Sequence, residues 1–98
     1  MNARLSYLDW NATAPVRPEA VAAVAQALAT VGNASSVHRA GRAARRLLEA
    51  ARANVAALVG AHTENVVFTS GGTEANALAL RAFPDRRVLV SALEHDSV

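Results

Sequence analysis

Lysine and cysteine are both absent from this chain of 98 residues, and all ten of its positively charged residues are arginine. Without cysteine the sequence holds no disulfide and no thiolate metal ligand, which excludes a small secreted scaffold built on disulfides. No apolar run approaches the roughly 20 residues that a membrane-spanning helix needs. The first nine residues also lack the apolar segment of a secretory signal, so we expect none.

The overall composition is that of a folded chain the size of one small domain. Hydrophobic residues make up 52% of it and charged residues 18%, which argues against disorder. The net charge of +2 is too small to indicate nucleic-acid binding by itself. Several arginines lie between residues 42 and 52, but Glu49 interrupts them and no aromatic residue lies among them. This run therefore predicts a solvated helix face rather than a nucleic-acid site.

Helix-like and strand-like patterns alternate along the chain. Val21, Val24, Leu28 and Val31 recur at the spacing of one helix face. The consecutive apolar residues at 88–90 are typical of a strand buried on both faces. The alternation predicts the α/β class. The predicted elements are an extended segment at 5–9, helices at 19–31, 39–59 and 73–82, strands at 65–69 and 87–92, and a helix beginning at Ser91.

The stretch at 66–76 reads as a strand, a glycine turn and the start of a helix. The first amides of a helix have no partner within it, and the helix dipole adds positive charge there. Gly71 and Gly72 lack a Cβ and let a ligand approach the backbone, while Thr73 adds a hydroxyl. These features favour a phosphate site. The alternative is an ordinary tight turn that Thr73 caps. Neither the Walker A nor the dinucleotide fingerprint is present.

His95 follows the second predicted strand, as the glycine turn follows the first. Ligands collect at the carboxyl ends of strands in open α/β sheets, so His95 and Gly72–Thr73 are expected to share a pocket. A histidine there could stack on a flat ring or pass protons. The alternative is an ordinary polar residue in the first turn of a helix. We interpret His38 as a solvated loop residue, and the histidine spacing does not favour a metal site.

Four motifs, at residues 7–15, 32–38, 68–74 and 94–95, resemble the N-terminal part of cysteine desulfurases of the iron–sulfur-assembly type. These enzymes are class V aminotransferase relatives with the fold-type I architecture and depend on pyridoxal 5'-phosphate. The resemblance implies a three-layer α/β/α large domain with an incomplete sheet. Residues 1–15 would be an N-terminal arm that belongs to the family's small domain, and residues 16–98 the start of the cofactor-binding large domain.

The same resemblance implies roles for three residues. Gly72 and Thr73 would bind the phosphate of the cofactor, while His95 would stack on its pyridine ring and act catalytically in proton transfer. The reaction would convert L-cysteine to L-alanine and hold the sulfur as a persulfide for a sulfur-acceptor protein. A cytoplasmic homodimer is expected, with no metal site, nucleic acid or membrane as partner.

The missing residue types bear directly on this interpretation. Pyridoxal phosphate reacts through a lysine amine, and sulfur transfer needs a cysteine thiolate. In the family both residues lie far downstream of position 98, so we interpret the chain as a truncated piece that is inactive alone. The alternatives are another class V enzyme, such as a selenocysteine lyase or an aminotransferase, a non-catalytic binding module, and an arginine-rich module that binds nucleic acid.

Overall fold

A computed structural model describes residues 6–98, which fall into two units, one ending at Asn54 and the other running from Val55 to Val98. The boundary between the units falls within the second helix. The helical elements of the described residues are α1 (Pro18–Leu28), α2 (Arg39–Val59), a 3₁₀ turn (Thr63–Asn65) and α3 (Gly72–Arg81). The predicted extended segment at 5–9 and the predicted arm at 1–15 lie partly outside the described residues. Residues 6–9 have no regular secondary structure.

Helix α1 starts one residue earlier and ends three residues earlier than predicted. Pro18 is its first residue, where the missing N–H costs nothing and the fixed φ suits a helix. Glu19 follows in the first turn, where a carboxylate interacts favourably with the helix dipole. Beyond Leu28 the backbone hydrogen bonding changes to the tighter 3₁₀ pattern, since the Thr30 N–H donates to the carbonyl of Ala27, three residues earlier, at 3.0 Å. The apolar stripe therefore continues past the point where the helix stops.

Helix α2 has the predicted bounds. Arg45 and Glu49, four residues apart on this helix, form an ion pair at 3.1 Å, and Arg52 approaches the other carboxylate oxygen of Glu49 at 3.2 Å. Ion pairs between neighbouring turns on the surface of a helix contribute only about a few tenths of a kcal/mol each. Arg45 lies on the solvated side of the helix, as the sequence predicts, whereas the Arg52 side chain is only 23% exposed.

Two glycines let the loop before α2 pack against its first turn. Gly32 has a φ of +148°, and a Cβ there would strike the carbonyl oxygen of Ala40. A Cβ on Gly41 would strike the carbonyl oxygen of Ser36. Asn33 tightens the loop from within, since its carbonyl oxygen accepts the Ser36 N–H at 2.9 Å. Any larger residue at 32 or 41 would push the loop away from the helix.

The two predicted strands do not form. No described residue belongs to a strand, although Val66 has extended dihedrals of φ −98° and ψ 118°. A strand needs a neighbouring strand to complete its ladder of hydrogen bonds, and within residues 6–98 neither 65–69 nor 87–92 has one. The expected incomplete sheet is therefore not confirmed, and the regular structure of the described residues is helical.

The prediction that a helix begins at Ser91 is also wrong. The Ser91 side-chain oxygen accepts the Leu93 N–H at 3.1 Å. A second turn follows, in which the Val98 N–H donates to the His95 carbonyl at 2.9 Å. Serine side chains offer the backbone such local bonds as an alternative to a helix. The predicted capping serine instead stabilises a turn.

Apolar burial is slight in the described residues. Ala56 is their one buried apolar side chain, with 2% of its surface exposed. Val67 and Leu89, in the segments predicted as strands, are 70% and 92% exposed. Local hydrogen bonds and turns therefore define most of the geometry at the candidate site. None of the described helices combines the length and apolar character needed to cross a membrane.

Candidate functional site

The N-terminus of α3 presents backbone donors that have no partner in the described part of the chain. Gly71 caps the helix in an extended conformation, without a side-chain capping bond. The first helical hydrogen bond runs from the Ala75 N–H to the Gly71 carbonyl at 3.1 Å. The N–H groups of Gly72, Thr73 and Glu74 donate to no acceptor among residues 6–98. Such a set of donors, reinforced by the helix dipole, favours an anion.

The space in front of these donors is open. A Cβ added to Gly71 or Gly72 would meet no atom within 4 Å. Thr73 is exposed, and its hydroxyl can donate or accept a hydrogen bond. The Thr69 hydroxyl donates to the Gly71 carbonyl at 3.1 Å, and this hydrogen bond stabilises the turn that precedes α3. Helix α3 begins one residue earlier than predicted, so Gly72 and Thr73 are its first two residues.

Glu74 is a site residue that the sequence analysis did not identify. One of its carboxylate oxygens accepts the backbone N–H of Ser70 at 2.6 Å and the Ser70 hydroxyl at 2.7 Å. The Ser70 N–H lowers the pKa of the Glu74 carboxyl most, and the Ser70 hydroxyl lowers it further, because both donors stabilise the ionised form. Its position three residues after the cap, where a capping-box glutamate lies, was the signal that could have revealed it.

His95 lies in a turn that a side-chain bond ties to α3. Its Nδ1 is 3.0 Å from the Ser97 hydroxyl and accepts the Ser97 N–H at 3.2 Å. The Ser97 hydroxyl oxygen in turn accepts the Asn76 amide at 2.9 Å, across 21 residues of sequence. Asn76 lies one helical turn after Gly72 on α3. The structure thus links the turn that carries His95 to the helix that begins at the proposed anion site.

No sequence pattern indicates this contact between Asn76 and Ser97. No local pattern relates two polar residues so far apart, and only the folded chain brings them together. The roles predicted for Gly72, Thr73 and His95 in binding the cofactor stay predictions.

His38 lies immediately before the first residue of α2. It is exposed, as interpreted from the sequence, but it also caps the helix, since its Nδ1 accepts the Gly41 N–H at 3.3 Å. Within residues 6–98 no three histidine, aspartate or glutamate residues cluster closely enough to hold a metal ion.

Comparison with known proteins identifies relatives along almost the whole chain. An IscS-like cysteine desulfurase of Mycobacterium tuberculosis is 44% identical over 103 aligned positions, which cover 96% of this chain and 26% of the relative. A selenocysteine lyase of Xenopus laevis is 41% identical over 111 positions, covering 94% and 26%. A putative cysteine desulfurase NifS of Bacillus subtilis is 37% identical over 99 positions, covering 94% and 25%.

The chain therefore spans about a quarter of the length of these relatives. No solved structure gives a significant match. The protein-family model described as aminotransferase class V matches residues 6–98, which confirms the resemblance carried by the four motifs. On this match the chain belongs to the class V aminotransferase family.

Proposed function

We propose that this chain supplies the phosphate site and the ring-stacking histidine of a pyridoxal-phosphate-dependent cysteine desulfurase. The observation that carries the proposal is the set of amides at Gly72, Thr73 and Glu74, which have no acceptor among the described residues. Membership of the class V aminotransferase family, with cysteine desulfurases among the relatives, supports the phosphate of pyridoxal phosphate as the anion.

The chemistry of the donor set fits a phosphate ester. Backbone N–H groups at a helix N-terminus bind phosphate without a lysine or a metal ion, and the Thr73 hydroxyl can add one more hydrogen bond. The Glu74 carboxylate would oppose an anion, but its bonds to Ser70 hold it at the residue before the cap. The N–H groups of the first turn stay available to the phosphate.

In the proposed reaction the C–S bond of L-cysteine breaks and an enzyme thiolate forms an S–S bond to the sulfur. A proton takes the place of sulfur on the substrate Cβ, so the products are L-alanine and an enzyme persulfide. The cofactor, when bound, draws electrons away from the amino acid. His95 would stack on its ring and hold or release a proton at Nε2.

The lysine and the thiolate that this reaction requires are not among the 98 residues. We assign them to other parts of the whole protein, and we expect the chain by itself to be inactive. From the family resemblance we further propose a cytoplasmic homodimer that delivers sulfur to an acceptor protein.

A selenocysteine lyase is the second candidate. Relatives with that name are as similar to this chain as several of the desulfurases, for example at 41% identity in Xenopus laevis. The two candidates differ in substrate, so the rates of the whole protein with L-cysteine and with L-selenocysteine distinguish them. A desulfurase should turn over L-cysteine, whereas a dedicated lyase should act only on the selenium compound.

Binding of the cofactor to the chain tests the phosphate site directly. In a titration of the ¹⁵N-labelled chain with pyridoxal phosphate, the amide signals of Gly72, Thr73 and Glu74 should shift most. Thr73→Val removes one hydrogen bond to a charged group and should weaken binding about tenfold. Thr30→Val, at an exposed threonine beyond α1, is the matched control and should bind like the unmodified chain.

Pyridoxal without its phosphate is the second control. It should leave the three amide signals nearly unchanged, because the ring alone offers the helix no anion. Equal responses to pyridoxal and pyridoxal phosphate would overturn the proposed phosphate site.

A further inference from the structure

The hydrogen bonds around Ser97 have a defined direction. The Asn76 Nδ2 group carries only donors, so at 2.9 Å the Ser97 oxygen is its acceptor. The Ser97 hydroxyl proton is then free to point at His95 Nδ1, 3.0 Å away. The Ser97 backbone N–H points at the same nitrogen from 3.2 Å.

His95 Nδ1 therefore faces two donors at once. A ring nitrogen that carries its own proton has no lone pair in the ring plane with which to accept them. The arrangement suits the neutral imidazole with an acceptor at Nδ1 and the proton on Nε2. It also fixes the ring plane, because a flip of the ring would break both bonds to Ser97.

We propose that Asn76 and Ser97 are positioning residues that hold His95 with its proton on Nε2 and its ring in a fixed orientation relative to α3. The role of the ring rests on the proposed function, whereas the hydrogen-bond chain is a property of these three residues alone. Since Nδ1 is occupied, Nε2 is the nitrogen that can exchange a proton. His95 would thus be oriented before any cofactor arrives.

The ring nitrogens of His95 can be observed by NMR in the full chain without cofactor. Long-range ¹H–¹⁵N correlations above neutral pH should show Nδ1 unprotonated and Nε2 protonated, with the signals assigned from their loss in His95→Gln. Ser97→Ala removes the hydroxyl donor and should produce a measurable fraction of the opposite tautomer. Ser97→Thr keeps the hydroxyl and should restore the original spectrum.

Asn76→Asp tests the direction of the chain with almost no change in shape. A carboxylate at 76 accepts the Ser97 hydroxyl proton and turns it away from His95, so it should shift the ring nitrogens in the same sense as Ser97→Ala. Ala75→Asp adds the same charge one residue away, at an exposed position, and should leave the ring unchanged. Helix content by far-ultraviolet circular dichroism confirms that the variants fold alike.

Ring-nitrogen signals that are identical in the unmodified chain, Ser97→Ala and Asn76→Asp would overturn the proposal. Titration of the same samples with inorganic phosphate keeps the two proposals separate. A tautomer change without any phosphate response at Gly72 and Thr73 supports the positioning role and counts against the phosphate site. A phosphate response with an unchanged ring does the reverse.

Discussion

At the scale of the residue, Glu74 determines how the start of α3 responds to pH. Its carboxylate accepts two hydrogen bonds from Ser70, at 2.6 and 2.7 Å, and these hold the pKa of the carboxyl below its ordinary value of 4.5. A depressed pKa stabilises the folded state above the unfolded pKa, and that stabilisation is lost as the pH falls through the folded pKa. The contact should thus persist at neutral pH and break in acid.

The Ser70 amide is the probe for this prediction. Its NMR signal should move in one step as the pH falls below 4.5, because protonation removes the ionised acceptor. Glu74→Gln should abolish the step, since an amide does not titrate. Glu64→Gln, in the 3₁₀ turn, should retain it. A Ser70 signal that titrates in the same way in both variants would show that another group is responsible.

Single residues also show what the sequence could and could not predict at the site. The turn at Gly71–Gly72 and the helix after it were predictable, because glycine and helix-forming residues act locally. The contact between Asn76 and Ser97 was not, since it depends on the path of the chain between them. The helix prediction at Ser91 was wrong because a serine three residues before a glutamate is equally compatible with a helix cap and with a local turn.

At the scale of the element, the packing of α2 depends on Gly41. Gly41→Ala would place a methyl group against the Ser36 carbonyl and should force the loop at 32–38 away from the helix. Overpacking of this kind costs about 1–3 kcal/mol. Gly72→Ala is the matched control, because a Cβ there meets nothing within 4 Å and alanine favours a helix.

Thermal unfolding followed by circular dichroism compares the two variants. Gly41→Ala should lower the midpoint, whereas Gly72→Ala should leave it unchanged or raise it slightly. Equal midpoints would mean that the loop yields to the extra methyl group without cost.

The elements differ in how well local pattern predicts them. Helix α2 was predicted with its bounds because most of its 21 residues are helix formers, and an α-helix completes its backbone hydrogen bonds within itself. The segments at 65–69 and 87–92 have strand-like composition, but a strand is completed only by a neighbour. A pattern can indicate which residues suit a sheet without supplying the strand that pairs with them.

At the scale of the whole molecule, the absence of lysine limits how a carbonyl cofactor can attach. A stable imine needs a primary amine, and arginine stays protonated at any working pH. After incubation with pyridoxal phosphate and reduction with borohydride, peptide mapping should find no modified internal residue. The terminal amine is the one remaining acceptor for the label.

A lysine placed on the described surface provides the positive control. Arg81→Lys, at the exposed last residue of α3, keeps the positive charge and introduces an amine, so its peptide should be labelled under the same conditions. The unmodified chain should still bind pyridoxal phosphate reversibly through α3, and competition by inorganic phosphate should release it. We propose that the start of α3 binds the phosphate and that other parts of the whole protein supply the reacting amine. A covalent label on an internal residue of the unmodified chain would contradict this assignment.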